Sequence, residues 1–319
     1  MFRYARSYSL SFLVVLGLWF GNQAAVQATT FYVPSQYASI QAALNVSGNG
    51  DVIVIADGTY SGSGNVDLDF LGSNVTVQSA SGNPSQTVID CKGSSSAYHR
   101  GFYFHNGETR AVVQGITIKN GYIDYGGAVD VQSSSAVTLT NCIFTKNIST
   151  SNGSGGGIYN DGRVTLNSCT LSQNSAQNGN GGGLDNTGIA TLTNCLISQN
   201  MTSYNGGGVG NRNQVTLTNC TFTQNSATGN GGGLMNYSQA TLINCKFMGN
   251  TATNGGGCYT DSYNFTMTNS ILIQNNADSD GGGLYNDYDA IVTNCTVTQN
   301  AASSTGGGYY NNWTITLTK

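Results

Sequence analysis

The sequence predicts an all-β fold built as one stack of parallel coils, a parallel β-helix with three strands per coil of about 25 residues. Three observations predict it. Glycine triplets begin at Gly155, Gly181, Gly206, Gly231, Gly255, Gly281 and Gly306, spaced 24 to 26 residues apart. A GGAV variant at Gly126–Val129 stands 29 residues before the first of them. Within each repeat the apolar residues alternate with a period of two, then change parity once. Composition agrees: 44 of 319 residues are Gly and only 8% are charged, which suits a backbone-paired solid and not a helical solenoid.

One repeat explains the strands. In GGGVGNRNQVTLTNCTFTQNSATGN, counted from Gly206 as zero, Val209, Val215, Leu217, Cys220 and Phe222 are apolar. Steps of two within Val215/Leu217 and within Cys220/Phe222 are strand alternation. The step of three between the pairs, with Asn219 inside it, forces a corner. Strands are expected near +1 to +4, +9 to +12 and +14 to +18. One such coil cannot bury its interior, but stacked coils can, each strand pairing with its copies at about 4.8 Å. A propeller needs a longer repeat, and a sandwich needs no repeat at all.

The columns follow from stacking. Asn141, Asn194, Asn219, Asn244, Asn269 and Asn294 share one corner, with Ser168 as the exception. Asn tolerates left-handed backbone and can bond the Asn one coil away. A second Asn column runs from Asn147 to Asn300, and a third includes Asn160, Asn186, Asn211, Asn236, Asn286 and Asn311. Corner ladders are expected of all three. Cys142, Cys169, Cys195, Cys220, Cys245 and Cys295 follow the first corner, with Ser270 in the same slot. Registered neighbours about 4.8 Å apart are too distant for the ~3.8 Å Cβ separation of a disulfide. A buried free-thiol ladder is therefore expected, with Cys91 and Cys258 outside it.

The remaining segments divide the chain as 1–28, 29–60, 61–125 and 126–319. Residues 1–28 read as a secretory signal: Arg3 and Arg6, an apolar run Leu10–Phe20, then small residues with a cut after Ala28. The run is too short to span a bilayer, and no later segment could span one as a helix. Residues 29–60 read as a cap, with Ile40, Ala43 and Leu44 on one helix face that stops near Gly48 and a strand from Val52 to Ala56. Residues 61–125 read as irregular coils with strand signals at Asn74–Gln78, Thr87–Asp90, Gly101–Phe104 and Ala111–Ile118. Regular coils run from 126 to the end, about ten coils in all. The chain stops at TITLTK with no visible cap. Truncation, a covering partner or fraying of the last coil are the readings of that edge.

Without the signal, nine basic residues stand against fifteen acidic ones, a net charge of −6. Such a chain is not expected to bind nucleic acid or anionic lipid electrostatically. An acidic polymer such as pectate would need a bridging cation or a local basic site.

Two places break the monotony. His99, Arg100, His105, Glu108 and Arg110 fall within twelve residues that hold both histidines and the only Glu. Catalysis there would use Arg100 or Arg110 as base or anion clamp and His99, His105 or Glu108 as acid or base. The alternative is a surface ion pair between Glu108 and Arg110. The second place is the outward stripe after the glycines, where Tyr259, Tyr285 and Tyr310 come from consecutive coils beside Asp261 and Asp287, with Asp289 close by. Flat aromatics with adjacent acceptors suit sugar rings, and Asp261, Asp287 and Asp289 are a candidate Ca²⁺ site. Otherwise no cofactor is called for. The competing reading is ordinary: Tyr is a good strand residue.

The opening VPSQYASIQAALNVSGNGDVIVIADGTY resembles the start of right-handed β-helix proteins of the pectin-lyase-like superfamily. The GGGL or GGAV followed by FTQN or FTKN resembles the repeats of chlamydial-type polymorphic outer-membrane proteins. The first resemblance implies a right-handed coil and polysaccharide lyase chemistry, although no motif here maps onto the aspartate calcium site and catalytic Arg of pectate lyases. The second implies adhesion, although no C-terminal barrel is present to anchor the chain. The expected function is a secreted or cell-surface, non-catalytic β-helix whose partner is a polysaccharide, a surface glycan or a host or cell-surface receptor. The alternatives are a pectate-type lyase or glycoside hydrolase working in coils 61–125, and a structural spacer.

Overall fold

A computed structural model describes residues 27–150 and 153–319. Nearly all of the signal segment 1–28 lies outside the described residues. The chain winds through about eleven turns. Each regular coil contributes strands to three main sheets, as the coil arithmetic requires. The coil from Gly206 shows the pattern: Val209–Asn211, Gln214–Thr218 and Thr221–Thr223. We call the corresponding sheets the glycine sheet, the broad sheet and the phenylalanine sheet. They hold ten, twelve and ten strands, all paired in parallel. A feature absent from the sequence reading is a fourth, narrow ladder of eight two-residue strands, such as Ser226–Ala227. Its strands are only two residues long, and half of them pair a Ser, Thr or Asn with an Ala, as in Ser226–Ala227 and Thr251–Ala252, so the alternation of large apolar groups that marks a strand is missing there.

The core is a column of stacked side chains inside the coils. Val209, Val215, Leu217, Cys220 and Phe222 are all buried, as are their copies above and below. Phe222 stacks on Phe247 with centroids 4.5 Å apart. Cys142 through Cys295 carry free thiols, buried except for the half-buried Cys295. The Cys220 Sγ donates to the carbonyls of Leu192 and Thr218 at 3.4 and 3.3 Å. Outside this ladder, Cys258 is core, and burial pushes its thiol up.

The Asn columns take the expected geometry. Asn219 sits at φ 54° and donates to Asn194 Oδ1 at 3.1 Å. In the buried column, Asn225 Nδ2 donates to Asn250 Oδ1 at 2.9 Å and to the Ile197 carbonyl at 2.9 Å. Asn211 does the same in the third column, at 2.7 Å to Asn236 Oδ1. A second left-handed corner was not read from the sequence. Gln173, Gln199, Gln224, Gln274 and Gln299, each one residue before the buried Asn, hold φ near 55°, and Gly249 takes their place in one coil. The following buried Asn anchors that turn tightly enough to hold a non-glycine residue in the left-handed region.

The glycine triplets answer two needs. Gly206 lies at φ +72°, which side chains resist. Gly207 has an ordinary φ, but a Cβ there would stand 2.5 Å from the carbonyls of Gly232 and Ser226. Backbone therefore packs on backbone between coils at this corner.

At the N-terminus the helix is Ile40–Leu44, capped by Ser39 and burying Ile40, Ala43 and Leu44. The expected strand from Val52 is Val52–Ile55, and it pairs with a further strand, Thr30–Val33, that begins the broad sheet. The expected stretch Ala111–Ile118 is two strands, Ala111–Gln114 and Thr117–Lys119, parted by Gly115 at φ +68°. Among the described residues no helix is long and apolar enough to cross a membrane.

Candidate functional site

The unusual chemistry collects on the outer side of the glycine sheet and the corner that follows it. Strand register places Asp69, Tyr103, Asp130, Tyr159 and Asp185 in one outward column, continued by Gly210, Met235, Tyr259, Tyr285 and Tyr310. Ten rungs make it about 43 Å long. Strand alternation predicts that this column faces water. It does leave the core, but much of it is covered: Asp130, Asp185, Met235 and Tyr259 are buried. The first glycine of each triplet lies against it, and a Cβ on Gly255 would stand 2.8 Å from Tyr259 Cβ. From the loop before the triplet, Asn205 Nδ2 reaches across to the Tyr237 hydroxyl at 3.1 Å. The column is thus the floor of a shallow trough, with the glycine turns on one side and the next corner on the other.

At the N-terminal end the trough is ionic. His99 Nδ1 lies 2.6 Å from Asp67, and His105 Nε2 lies 3.1 Å from Asp69. His105 stacks on Tyr103 at 3.9 Å, and the Arg100 guanidinium lies 4.8 Å from the Tyr103 ring centre. Arg100 pairs with Asp130, which also accepts from Gln132 at 2.8 Å. Burial raises the Asp130 carboxyl against the opposing pull of Arg100. So the structure brings three of the five candidates, His99, Arg100 and His105, together with Asp130 of the outward stripe and with Asp67 and Asp69, which no sequence signal marked. Their copies lie about 30 residues apart in sequence, and only register unites them.

It separates the other two. Glu108 is fully buried, accepting from Gly72 N–H at 2.9 Å, Asn106 N–H at 3.1 Å and Ser135 Oγ at 2.9 Å. It ties three segments together and has no path to a substrate, so its acid/base role is withdrawn. The proposed surface pair with Arg110 fails for the same reason. Arg110 is exposed on the broad-sheet side of the corner, in an open cleft of about 540 Å³ beside Asn74 and Thr76.

Midway, the fully buried Asp185 pairs with the exposed Arg212. Desolvation lifts the Asp185 carboxyl to about 6, with Arg212 opposing. Gly210 stands in the column above it, where a Cβ would meet Asn180 at 3.0 Å and Asp185 Oδ1 at 3.3 Å.

The C-terminal end is aromatic. Tyr259, Tyr285 and Tyr310 stack at 4.6 Å per step, with interplanar angles of 13° and 27°. The ladder expected from sequence exists, but its rings stack on one another, leaving Tyr259 buried and Tyr285 and Tyr310 half-buried. The Tyr259 hydroxyl donates to Asp287 at 3.1 Å, and burial pushes the Tyr285 hydroxyl up to about 12. The accessible aromatics lie one step further, at the corner: Tyr237, Tyr263, Tyr288 and Trp313 come from consecutive coils, with Tyr263 and Trp313 64% and 67% exposed. Tyr263 and Tyr288 lie 4.4 Å apart. With Asp261, Asp287, Asn312 and Trp313 they line an open cleft of about 460 Å³. Corner loops of unequal length shift these residues from +6 to +8, which hid the row from a fixed-period reading; the available signal was one aromatic per corner.

Asp261 and Asp287 share this cleft, and burial and the Asp287 charge raise the Asp261 carboxyl. Asp289 instead begins a broad-sheet strand and does not line the cleft. Among the described residues no three metal-ligating side chains converge, so the geometry does not carry the calcium reading.

The chain belongs to the right-handed β-helix family, whose model, "Right handed beta helix region", matches residues 157–318. No curated protein matches it by sequence. Among solved structures it is similar to pectate lyase Pel9A, at 16% identity and a TM-score of 0.49, covering 88% of this chain and 80% of that one. The A-module of mannuronan C-5 epimerase AlgE6 from Azotobacter vinelandii matches at 14% and 0.43, covering 87% of this chain and 94% of that one. Pectin methylesterase PemA from Erwinia chrysanthemi matches at 11% and 0.38, covering 89% and 80%. At these values no residue role passes from those proteins to this one.

Proposed function

We propose that this is a secreted or cell-surface protein that binds a polysaccharide or surface glycan along its outer trough without cleaving it. The observation that carries the reading is the corner cleft of Tyr263, Tyr288 and Trp313 beside Asp261, Asp287 and Asn312. Exposed rings offer a flat apolar face to the C–H face of a sugar, while the carboxylates and amide accept and donate to its hydroxyls. The cleft is open and lies along a trough, which suits a chain-like ligand more than a small enclosed one. The signal-like N-terminus and the likeness of the repeats to polymorphic outer-membrane protein repeats support the location.

The test is titration of the purified chain with a panel of neutral and acidic oligosaccharides, reading heat and released product. Trp313→Ala and Tyr263→Ala are each expected to weaken binding about tenfold, or ~1.4 kcal/mol. Binding unchanged in both variants would overturn the assignment.

A second reading rests on the ionic end, where His105, Arg100, Asp69 and Asp130 meet on the trough floor. Polysaccharide cleavage there predicts product release that is lost in Arg100→Ala and His105→Ala but kept in Arg110→Ala.

A further inference from the structure

The broad sheet carries a second surface, unrelated to the trough. Its strands read V-T-L-T or a close variant, with the Val and Leu inward and the two Thr outward. Register stacks those outward positions into two straight columns over eight successive coils. One runs from Thr138 to Thr316, interrupted by Ile291 alone; the other runs from Thr140 to Thr318, interrupted by Asn167 and Ile243. Thirteen of the sixteen positions are therefore threonine. Charges on this face of the regular coils are confined to Arg163 and Asp289, at the first position of their strands. The N-terminal coils lack the pattern: the same columns there hold Val52 and Val54, Thr76 and Gln78, Val112 and Gln114.

Strand preference explains one threonine at a time. It does not explain a lattice confined to one face. Nor are these hydroxyls used internally. Thr293 and Thr318 share a bond at 2.8 Å, and among the described residues the other array hydroxyls bond no protein atom. Threonines elsewhere are spent on the chain itself, as Thr253 is on the Thr228 carbonyl at 2.6 Å.

Parallel pairing sets the repeat of the array at about 4.8 Å across strands and about 6.6 Å along them, over a length of about 34 Å. Side-chain ladders inside the coils hold the sheet regular over many strands. Each point offers one methyl and one hydroxyl. A single such contact is weak, and a flexible solute would gain little from the spacing. The contacts add only against a partner that is itself rigid and periodic on the same scale, because the protein surface is already ordered and little entropy remains to be lost. Ice is such a partner. Its surface oxygens repeat at spacings close to both dimensions, the methyls favour caged water around them, and the free hydroxyls tie that water to the protein. A charged face would instead hold its own disordered hydration shell.

We infer that the threonine face of the broad sheet binds ice. The measurement is the gap between melting and freezing of a single small ice crystal in a solution of the purified chain, with crystal shape recorded. The unsubstituted chain is expected to open a gap and facet the crystal. Thr216→Lys combined with Thr241→Lys places two long charges in the middle of the lattice and should abolish most of the gap, with the circular-dichroism spectrum and melting temperature unchanged. Trp313→Ala, in the trough, should keep the gap, which separates this face from the glycan reading. Absence of any gap in the unsubstituted chain, or a gap that survives the double lysine variant, would overturn the inference. Retention on microcrystalline cellulose that the lysines abolish, without any effect on ice, would overturn it too and assign the face to a crystalline polysaccharide.

Discussion

The two ends of the trough share one sheet and one outward column, yet they are held together differently. At the N-terminal end Asp69, Tyr103 and Asp130 are tied by His105 and Arg100, and Glu108 pins Gly72, Asn106 and Ser135 from below. At the C-terminal end Tyr259, Tyr285 and Tyr310 simply stack on their own copies. Stacking like on like needs coils of nearly equal length, and the regular coils provide that. Stacked like charges repel, and the Asp261 carboxyl, raised by burial and by Asp287 beside it, carries that cost. Paired ionic residues draw their partners from adjacent coils, as Arg100 of the coil before serves Asp130 and Arg212 of the coil after serves Asp185. Periodicity thus selects the chemistry a column can hold.

Glycine offers the sharpest break of this comparison. Gly207→Ala in the regular coils puts a methyl against two backbone carbonyls that cannot move without parting two coils. A loss of more than about 3 kcal/mol is expected in denaturant melts. Gly107→Ala in the irregular coils, at φ +83° with nothing within 4 Å, should cost only about 1 kcal/mol. Equal losses would mean that the regular coils are no more tightly coupled than the irregular ones.

Next comes the polar ladder against the ionic pair. Asn225→Ala leaves the Asn200 N–H and amide without their acceptor, and about 3 kcal/mol should be lost. Asp130→Ala strands the largely buried Arg100, with a loss of similar or slightly smaller size, about 2–3 kcal/mol. Only the second loss should shrink in the double variant Asp130→Ala/Arg100→Met, which removes the stranded charge.

A smaller effect separates the midpoint from both ends. The Asp185 carboxyl is raised from 3.8 to about 6 in the folded chain. The folded state therefore holds that proton more tightly than the unfolded state between these values, and its contribution to stability is present below about pH 4 and lost as pH rises to about 6. Asp185→Asn should flatten this part of the stability–pH curve, read by chemical denaturation at several pH values. An unchanged curve would show that another group titrates there.

The smallest effect belongs to Trp313. Being mostly exposed, it should contribute within about 0.5 kcal/mol to stability on replacement by Ala. A larger loss would make it a structural residue and weaken its assignment to the glycan cleft.

The repeat made the backbone legible from sequence. Period, strand parity, the Asn corners and the thiol ladder all follow from residues that recur at one spacing, because parallel stacking forces equivalent residues into contact. The tyrosine ladder was legible for the same reason. The Gln corner was not, since Gln carries no left-handed preference of its own and adopts that geometry only because the buried Asn after it is anchored. Asp67 and Asp69 were invisible beside His99 and His105, since their coils have no repeat to align them.

What the sequence by itself determined is therefore the coil, its core and the identity of each column. Tertiary structure decided which members of a column meet solvent. Tyr259 and Asp185 point away from the core and are nonetheless buried, while Tyr263 and Trp313, displaced by a residue or two in their corner loops, stand exposed. Alternation gives the side of a sheet on which a residue lies; only the folding of neighbouring turns over that side sets what a ligand can reach.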